Sequence, residues 1–388
     1  MAGTLNRREM LAASAIAVLA GIPRRLWALQ ENETVIDFAD LQGFRTDLRN
    51  AGPRIRCFDL RQLNSFITPE EQFYTFHQTQ AVQVNAANWK LRIGGFVDHP
   101  KEFSLDELKR RSDKKEKPIT LECAGNAAGP AANGLLSTGL WSGVGLASIL
   151  KECGLKPEAR EVAFFGMDLE REPGSTDAAP HGRSVYVQDA MSNDAMLAFA
   201  LNGQPLSAER GFPLRLILPG WYGMTQIKWL TSIQALDRRY EGSHMARNYH
   251  TMRAAEASKQ DFWIETSISK TRLKSVVARV TRRKQGTGQF QHQISGAAWG
   301  GAWPIRSVEV QIDDGGWIPA QLDKRSDPYA WSLWRFDWKD ATPGPHTLVS
   351  RAIDSVGHIQ PTEIEWRKTV KTARENNSQW PRQIVIPT

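Results

Sequence analysis

The segment Thr120-Leu121-Glu122-Cys123-Ala124-Gly125-Asn126 puts a thiol at the end of an apolar run and follows it at once with small residues. Thiolate is a soft donor and suits a metal of high sulfur affinity. Ala124 and Gly125 let a bulky group approach the backbone closely. Taken by itself, the pattern suits a buried structural cysteine equally well. A second segment narrows the choice. Gly211-Phe212-Pro213-Leu214-Arg215 leads to Pro219-Gly220-Trp221-Tyr222-Gly223 and then to Gln226-Ile227-Lys228-Trp229-Leu230. Arg215 and Lys228 flank a Gly/Pro-rich loop, and cations with backbone N–H groups are what a phosphate needs.

Short elements must hold these groups. Trp89, Leu91 and Ile93 alternate before Gly94-Gly95, which predicts a strand end. Ser104-Leu105-Asp106-Glu107 is a capping box opening a short helix. Ile119–Cys123, Val162–Phe165 and Leu214–Leu218 have the composition of buried strands, and Asn202-Gly203 before Pro205 marks a turn. Leu146, Ile149, Leu150 and Cys153 form one helical face closed by Gly154, so Cys153 is expected in the core. These elements place a first domain over residues 34–246. A linker whose aromatics pack on something follows at 247–265. Residues 266–387 are expected to be all-β, with strands near 275–280, 292–298, 307–312, 330–338 and 346–353 and turns at Asp313-Asp314-Gly315-Gly316 and Pro343-Gly344-Pro345. That spacing predicts an immunoglobulin-like sandwich, and the fold class is α+β.

The chain is 388 residues long, 41% apolar and 23% charged, a composition that supports two ordinary cores and excludes a disordered or collagenous chain. Fourteen tryptophans favour clefts built on flat side chains. The formal charge is +7, of which +3 lies in residues 1–28. The run Lys109-Arg110-Arg111 with Lys114, Lys115 and Lys117 is expected to be a solvated helix end and loop. No basic stripe interleaves with aromatics, so nucleic acid is not an expected partner. Asn6-Arg7-Arg8-Glu9-Met10-Leu11 precedes an Ala-rich apolar stretch too short to span a bilayer. It is similar to a twin-arginine export signal over residues 1–28, which implies a periplasmic protein that leaves the cytoplasm already folded around a cofactor. No further long apolar stretch is present, so no membrane contact is expected of the mature chain. Cys57, Cys123 and Cys153 are too few and too scattered for a disulfide framework. Without a Cys-x-x-Cys-His motif, no covalent haem is expected on this chain.

The Cys123 and Arg215–Lys228 segments together resemble the sulfite oxidase family of molybdopterin enzymes. Ala298-Trp299-Gly300-Gly301 followed by Ser307-Val308-Glu309-Val310, and His346-Thr347-Leu348 with Ala352-Ile353-Asp354, resemble that family's C-terminal dimerisation domain. The resemblance covers about residues 60–370. It implies one molybdopterin holding molybdenum, with Cys123 as the metal's thiolate ligand, and a homodimer through the β-domain. Phe76, His77, Asp168, Arg210, Arg215, Gln226, Ile227 and Lys228 fall on its cofactor-binding positions. With no dinucleotide fingerprint in the chain, electrons should pass to a separate carrier, for which cytochrome c is the family expectation.

The chain departs from the arginine-rich members of that family. Thr75-Phe76-His77 stands where they have Arg-Asn-His, Ala127 and Ala128 where they have arginines, and Arg210 where they have a histidine. A further arginine from the β-domain is expected to be lost near Trp303. His181 stands at the catalytic tyrosine's place and is the candidate for proton handling, because imidazole titrates near neutrality. Arg183 compensates only if it points into the site. Each lost guanidinium forfeits a charge-assisted contact of about 1.5–3 kcal/mol to a sulfur oxyanion. The expected activity is therefore oxygen-atom transfer on a small sulfur compound other than free sulfite, as in the sulfane dehydrogenase branch. Reduction of a small oxide is a second model for the reaction. The alternatives are a non-catalytic relative that keeps the cofactor as a partner-binding module, and a thiol enzyme with Cys123 as nucleophile.

Overall fold

The computed structural model describes residues 29–30, 32–46, 55–127, 131–171, 177–255, 262–286, 288–301, 303–323 and 327–388. The twin-arginine segment and Ala128 lie outside the described residues.

The first domain stacks short helices on two sheets. One sheet runs in the order Gln204–Pro205, Met196–Leu201, Leu136–Gly145, Lys114–Glu122, with Arg215–Ile217 also paired to Met196–Leu201. The other runs Lys101–Phe103, Leu91–Gly95, Leu230–Leu236, Glu161–Arg171, Ala178–Tyr186. Their shared core contains Leu91, Ile93, Leu146, Ile149, Leu150, Cys153, Phe164 and Ile233. The helix Leu146–Cys153 buries the predicted face and ends at Gly154 in the left-handed conformation (φ 68°). The capping box at Ser104 closes through Glu107. The basic run is only half as expected. Lys109 and Arg110 do end a helix, but Lys114, Lys115 and Lys117 lie in the strand Lys114–Glu122, where Lys117 pairs with Asp194. Alternation in that strand lets its outer lysines reach solvent while Ile119 and Leu121 enter the core.

The second domain packs two antiparallel sheets face to face. One contains Lys274–Lys284, Phe290–Trp299 and Ser332–Trp338; the other contains Ile305–Ile312, Gly344–Asp354 and Arg382–Ile386. Val277, Ile294, Val308, Trp334, Leu348 and Ile384 fill the space between them, the two-layer sandwich core that the strand spacing predicts. Three details differ from expectation. Glu33–Ile36 pairs with Lys274–Lys284, so this segment of the expected first domain adds a strand to the second. The expected linker holds an antiparallel ribbon of His250–Ala254 with Trp263–Ser267. The domain is not wholly β, because Thr362 and Glu365 form a capping box that starts a helix at Glu363–Thr369. Cys57, Cys123 and Cys153 are all free thiols. Burial pushes the Cys57 thiol up to about 12. No described helix is long and apolar enough to cross a membrane.

Candidate active site

Cys123 follows the last residue of the strand Lys114–Glu122 and opens a tight loop, with its N–H bonded to the Leu135 carbonyl at 2.9 Å. It faces a cleft of about 780 Å³. All the residues that sequence reasoning selected line that cleft: Phe76, His77, Cys123, Asp168, His181, Arg210, Arg215, Gln226, Ile227 and Lys228. Burial raises the Cys123 thiol, while the Gly125 N–H and the Arg374 guanidinium oppose that shift. A bound metal would supply the positive charge that keeps such a sulfur deprotonated. Among the described residues, no cluster of three His, Cys, Asp or Glu side chains could hold a metal alone, so a metal here would need ligands from a non-protein group.

The floor of the cleft is cationic. Arg215 is 7% exposed and makes no ion pair among the described residues; its ring partner is Trp141, 5.2 Å away, and its Nε has no hydrogen-bond partner. Arg210 is also buried, and burial draws both guanidiniums down to about 10. Lys228 donates to the Phe76 carbonyl at 3.0 Å and meets His77 Nδ1. Burial, then Arg215, holds its ammonium well below the usual lysine value. Buried cations are costly, and a bound anion would offset that cost, most of all at Arg215. A Cβ at Gly223 would lie 2.8 Å from the Tyr74 hydroxyl and 3.7 Å from Cys123 Cα, so only glycine fits between them. The cleft thus joins a thiol that could ligate a metal to buried cations, Arg215 and Lys228, that would suit an anionic group.

Local irregularities aim these side chains. The pairing of Glu161–Arg171 with Ala178–Tyr186 shifts register between Phe165 and Leu169. That bulge turns Asp168 inward (9% exposed) while Met167 and Leu169 face out. His181 lies in the strand Ala178–Tyr186, with Nε2 3.2 Å from the Met224 carbonyl. Two predicted contacts serve mainly as braces. The Gln226 side chain accepts from Leu218 N–H and donates to the Leu218 and Trp221 carbonyls, holding the Pro219–Gly223 loop shut. Arg210 donates to the carbonyls of Glu70, Phe73 and Tyr74 and so ties down the strand carrying Phe76.

Arg183 does not compensate for lost arginines. It is fully buried away from the cleft and donates to the carbonyls of His244 and Ile268. Trp303 is 48% exposed and does not line the cleft. The β-domain nevertheless brings a cation toward the sulfur, namely Arg374, whose guanidinium sits 4.2 Å from the Tyr249 ring. Sequence reasoning missed Arg374 and Tyr249. Tyr249 lines the cleft from the stretch read as linker, and its abundance of aromatics was the one signal available.

Residues 77–244 match the family described as oxidoreductase molybdopterin binding domain, and residues 258–385 match the Mo-co oxidoreductase dimerisation domain. The chain belongs to the sulfite oxidase family of molybdopterin oxidoreductases. Within that family it is similar to the inducible NADH nitrate reductase 1 of Glycine max, at 27% identity over 78% of this chain and 38% of that protein. The mitochondrial sulfite oxidase of Drosophila melanogaster is 29% identical over 77% of this chain and 56% of that protein. The chain thus spans from little more than a third to just over half of these relatives. Among solved structures, the sulfane dehydrogenase SoxCD of Paracoccus pantotrophus superposes with a TM-score of 0.74 at 26% identity, covering 86% of this chain and 87% of that one. The α+β fold with its β-sandwich is therefore the family's fold.

Proposed function

We propose that this chain is a molybdenum-dependent oxidoreductase that transfers an oxygen atom on a small sulfur compound and hands the electrons to a separate carrier such as a cytochrome c. The observation that carries this reading is the pairing of one accessible thiol, Cys123, with the buried cations Arg215 and Lys228 across one cleft. Cys123 would hold the metal and Arg215, Lys228, His77 and Asp168 the pterin. When bound, the molybdenum supplies two-electron oxygen-atom chemistry. The chain's own residues do the rest. Tyr249, Phe76 and Trp229 exclude water from the cleft. His181 takes or gives a proton at Nε2 or Nδ1. Arg374, which packs on the cleft-lining Tyr249, is assigned to orient a substrate's negative end. With Thr75, Ala127 and His181 where the arginine-rich members carry arginine or tyrosine, the site favours a substrate less charged than free sulfite. The likeness to SoxCD supports a sulfur substrate, and the likeness to nitrate reductases leaves reduction of a small oxide as the second reading.

The same proposal makes the protein periplasmic, exported through the leader at residues 1–28, and a homodimer through the region that matches the dimerisation domain. The test is metal and pterin analysis of protein exported from a molybdenum-replete host, with a substrate screen using an artificial electron acceptor. Stoichiometric molybdenum, lost in Cys123→Ser without loss of fold, is the expected result. Matured protein without molybdenum overturns the reading. Turnover of sulfite at the rate of the arginine-rich members overturns the substrate assignment.

A further inference from the structure

Glu122, the residue before Cys123, is 1% exposed, and three side chains enclose its carboxylate. Lys274 Nζ lies 3.1 Å from Oε1, and Asn126 Nδ2 donates to the same oxygen at 3.0 Å. The indole N–H of Trp299 donates to Oε2 at 2.8 Å. Lys274 is itself 2% exposed and gives its remaining protons to the Asn126 carbonyl at 2.9 Å and to Asn133 Oδ1 at 3.2 Å. All three ammonium protons are therefore used.

Lys274 and Trp299 face each other as paired residues of two β-domain strands, whereas Glu122 and Asn126 belong to the first domain. The ion pair crosses from one domain to the other and grips both ends of the loop that begins with Cys123. A second grip comes from Glu375, whose backbone N–H donates to the Ala124 carbonyl at 2.8 Å while its carboxylate pairs with Arg253 at 2.8 Å.

We propose that Lys274 is a positioning residue of the metal centre that acts through Glu122. Its charge cancels the carboxylate beside the metal-ligating sulfur, and its three bonds fix the loop. This inference rests on the reading of Cys123 as the molybdenum ligand. Partners beyond a metal's own ligands set their orientation and basicity, and a charge in a low-dielectric interior acts at several ångströms. Without Lys274, the bare carboxylate would make the sulfur a stronger donor and favour the oxidised metal. Without the carboxylate, Lys274 would do the reverse. A purely mechanical bolt carries no such sign.

The test uses full-length, metal-loaded protein and a redox titration of molybdenum followed by electron paramagnetic resonance, with metal content measured in parallel. Lys274→Met should move the midpoint potential down, and Glu122→Gln should move it up. The double variant Glu122→Gln/Lys274→Met should return it toward the parent, and Lys274→Arg should stay near it. Shifts of one sign in both single variants, or no shift in metal-loaded variants, overturn the proposal. Should Lys274→Met fail to fold, Glu122→Gln decides alone, since it is isosteric: an upward shift supports the proposal and an unmoved potential overturns it. Parent protein without molybdenum overturns the functional reading and this inference with it, whereas loaded parent with unmoved variants overturns only this inference.

Discussion

The imidazole rings of His181 and His244 stand 4.7 Å apart, edge to face, and His244 in turn lies 5.6 Å from the ring of Tyr249. Arg183, buried behind them, holds the His244 carbonyl and so fixes the segment that carries the second imidazole. If His181 moves the proton, His181→Phe keeps the ring packing and removes the carrier. Its kcat should fall about 100-fold or more, with KM changed far less and molybdenum content unchanged. Steady-state kinetics on metal-loaded protein checks this.

Arg215 should show opposite effects in the empty and loaded states. Its guanidinium is buried without a counter-ion. Arg215→Met should leave the cofactor-free protein as stable or about 1 kcal/mol more stable, since a buried charge is replaced by a packed apolar chain. The same variant should retain little pterin. Thermal melts of the empty protein and pterin content after maturation measure the two effects separately.

Lys228 carries a pH dependence whose sign follows from its environment. Burial, then Arg215, lowers its folded-state value well below 10.5. Between that lowered value and 10.5 the unfolded chain binds the proton that the folded chain has released, so stability rises with pH across this window. The melting temperature of cofactor-free protein should climb as pH approaches 10.5 from below. Lys228→Met should flatten the slope, and a bound anion should weaken it by favouring the protonated ammonium.

Arg374 is the cation that the β-domain turns toward Cys123. Arg374→Gln should raise KM for an anionic substrate about tenfold, the loss of one charge-assisted contact of about 1.5 kcal/mol. It should alter kcat less than His181→Phe does. An uncharged substrate should show a much smaller KM effect in the same assay.

Gly220 has φ 76°, and a Cβ there would sit 2.5 Å from the Gly301 carbonyl oxygen; a Cβ at Gly301 would meet the Gly220 oxygen at 2.4 Å. Gly220→Ala should therefore cost about 2 kcal/mol or more from backbone strain and the clash between domains. A denaturant melt of the variant would register the loss.

Much of this site could be read from the sequence because its signals are local. The run ending at Cys123, the Gly/Pro loop between Leu218 and Gly223, and the cations Arg215 and Lys228 each lie within a few residues of the pattern that reveals them. The helix Leu146–Cys153 and the capping box at Ser104 were legible for the same reason. Lys274 and Arg374 were not. Lys274 lies in the strand next to the first domain, 152 residues from Glu122, and nothing near it in the chain marks it as more than a strand-end lysine. The ribbon at His250–Ala254 is not legible because its alternation is weak; in the structure it meets the helix Glu363–Thr369. Arg183 could not be assigned because strand alternation says which faces a residue can take, while the direction of burial depends on the neighbouring segment at His244.

Two segments far apart along the chain meet in the same layer pair. Glu33–Ile36 lies along Lys274–Lys284, Phe38 bridges to Ile384, and Arg382–Ile386 closes the opposite sheet. The consequence is an order of manufacture. The strands between Leu91 and Leu236 that form the floor of the cleft are all synthesised before the sandwich has received its last strand. The residues that clasp the Cys123 loop, Lys274, Trp299 and Glu375, are all translated after the strands that carry the cleft, so the loop is made before its clasp.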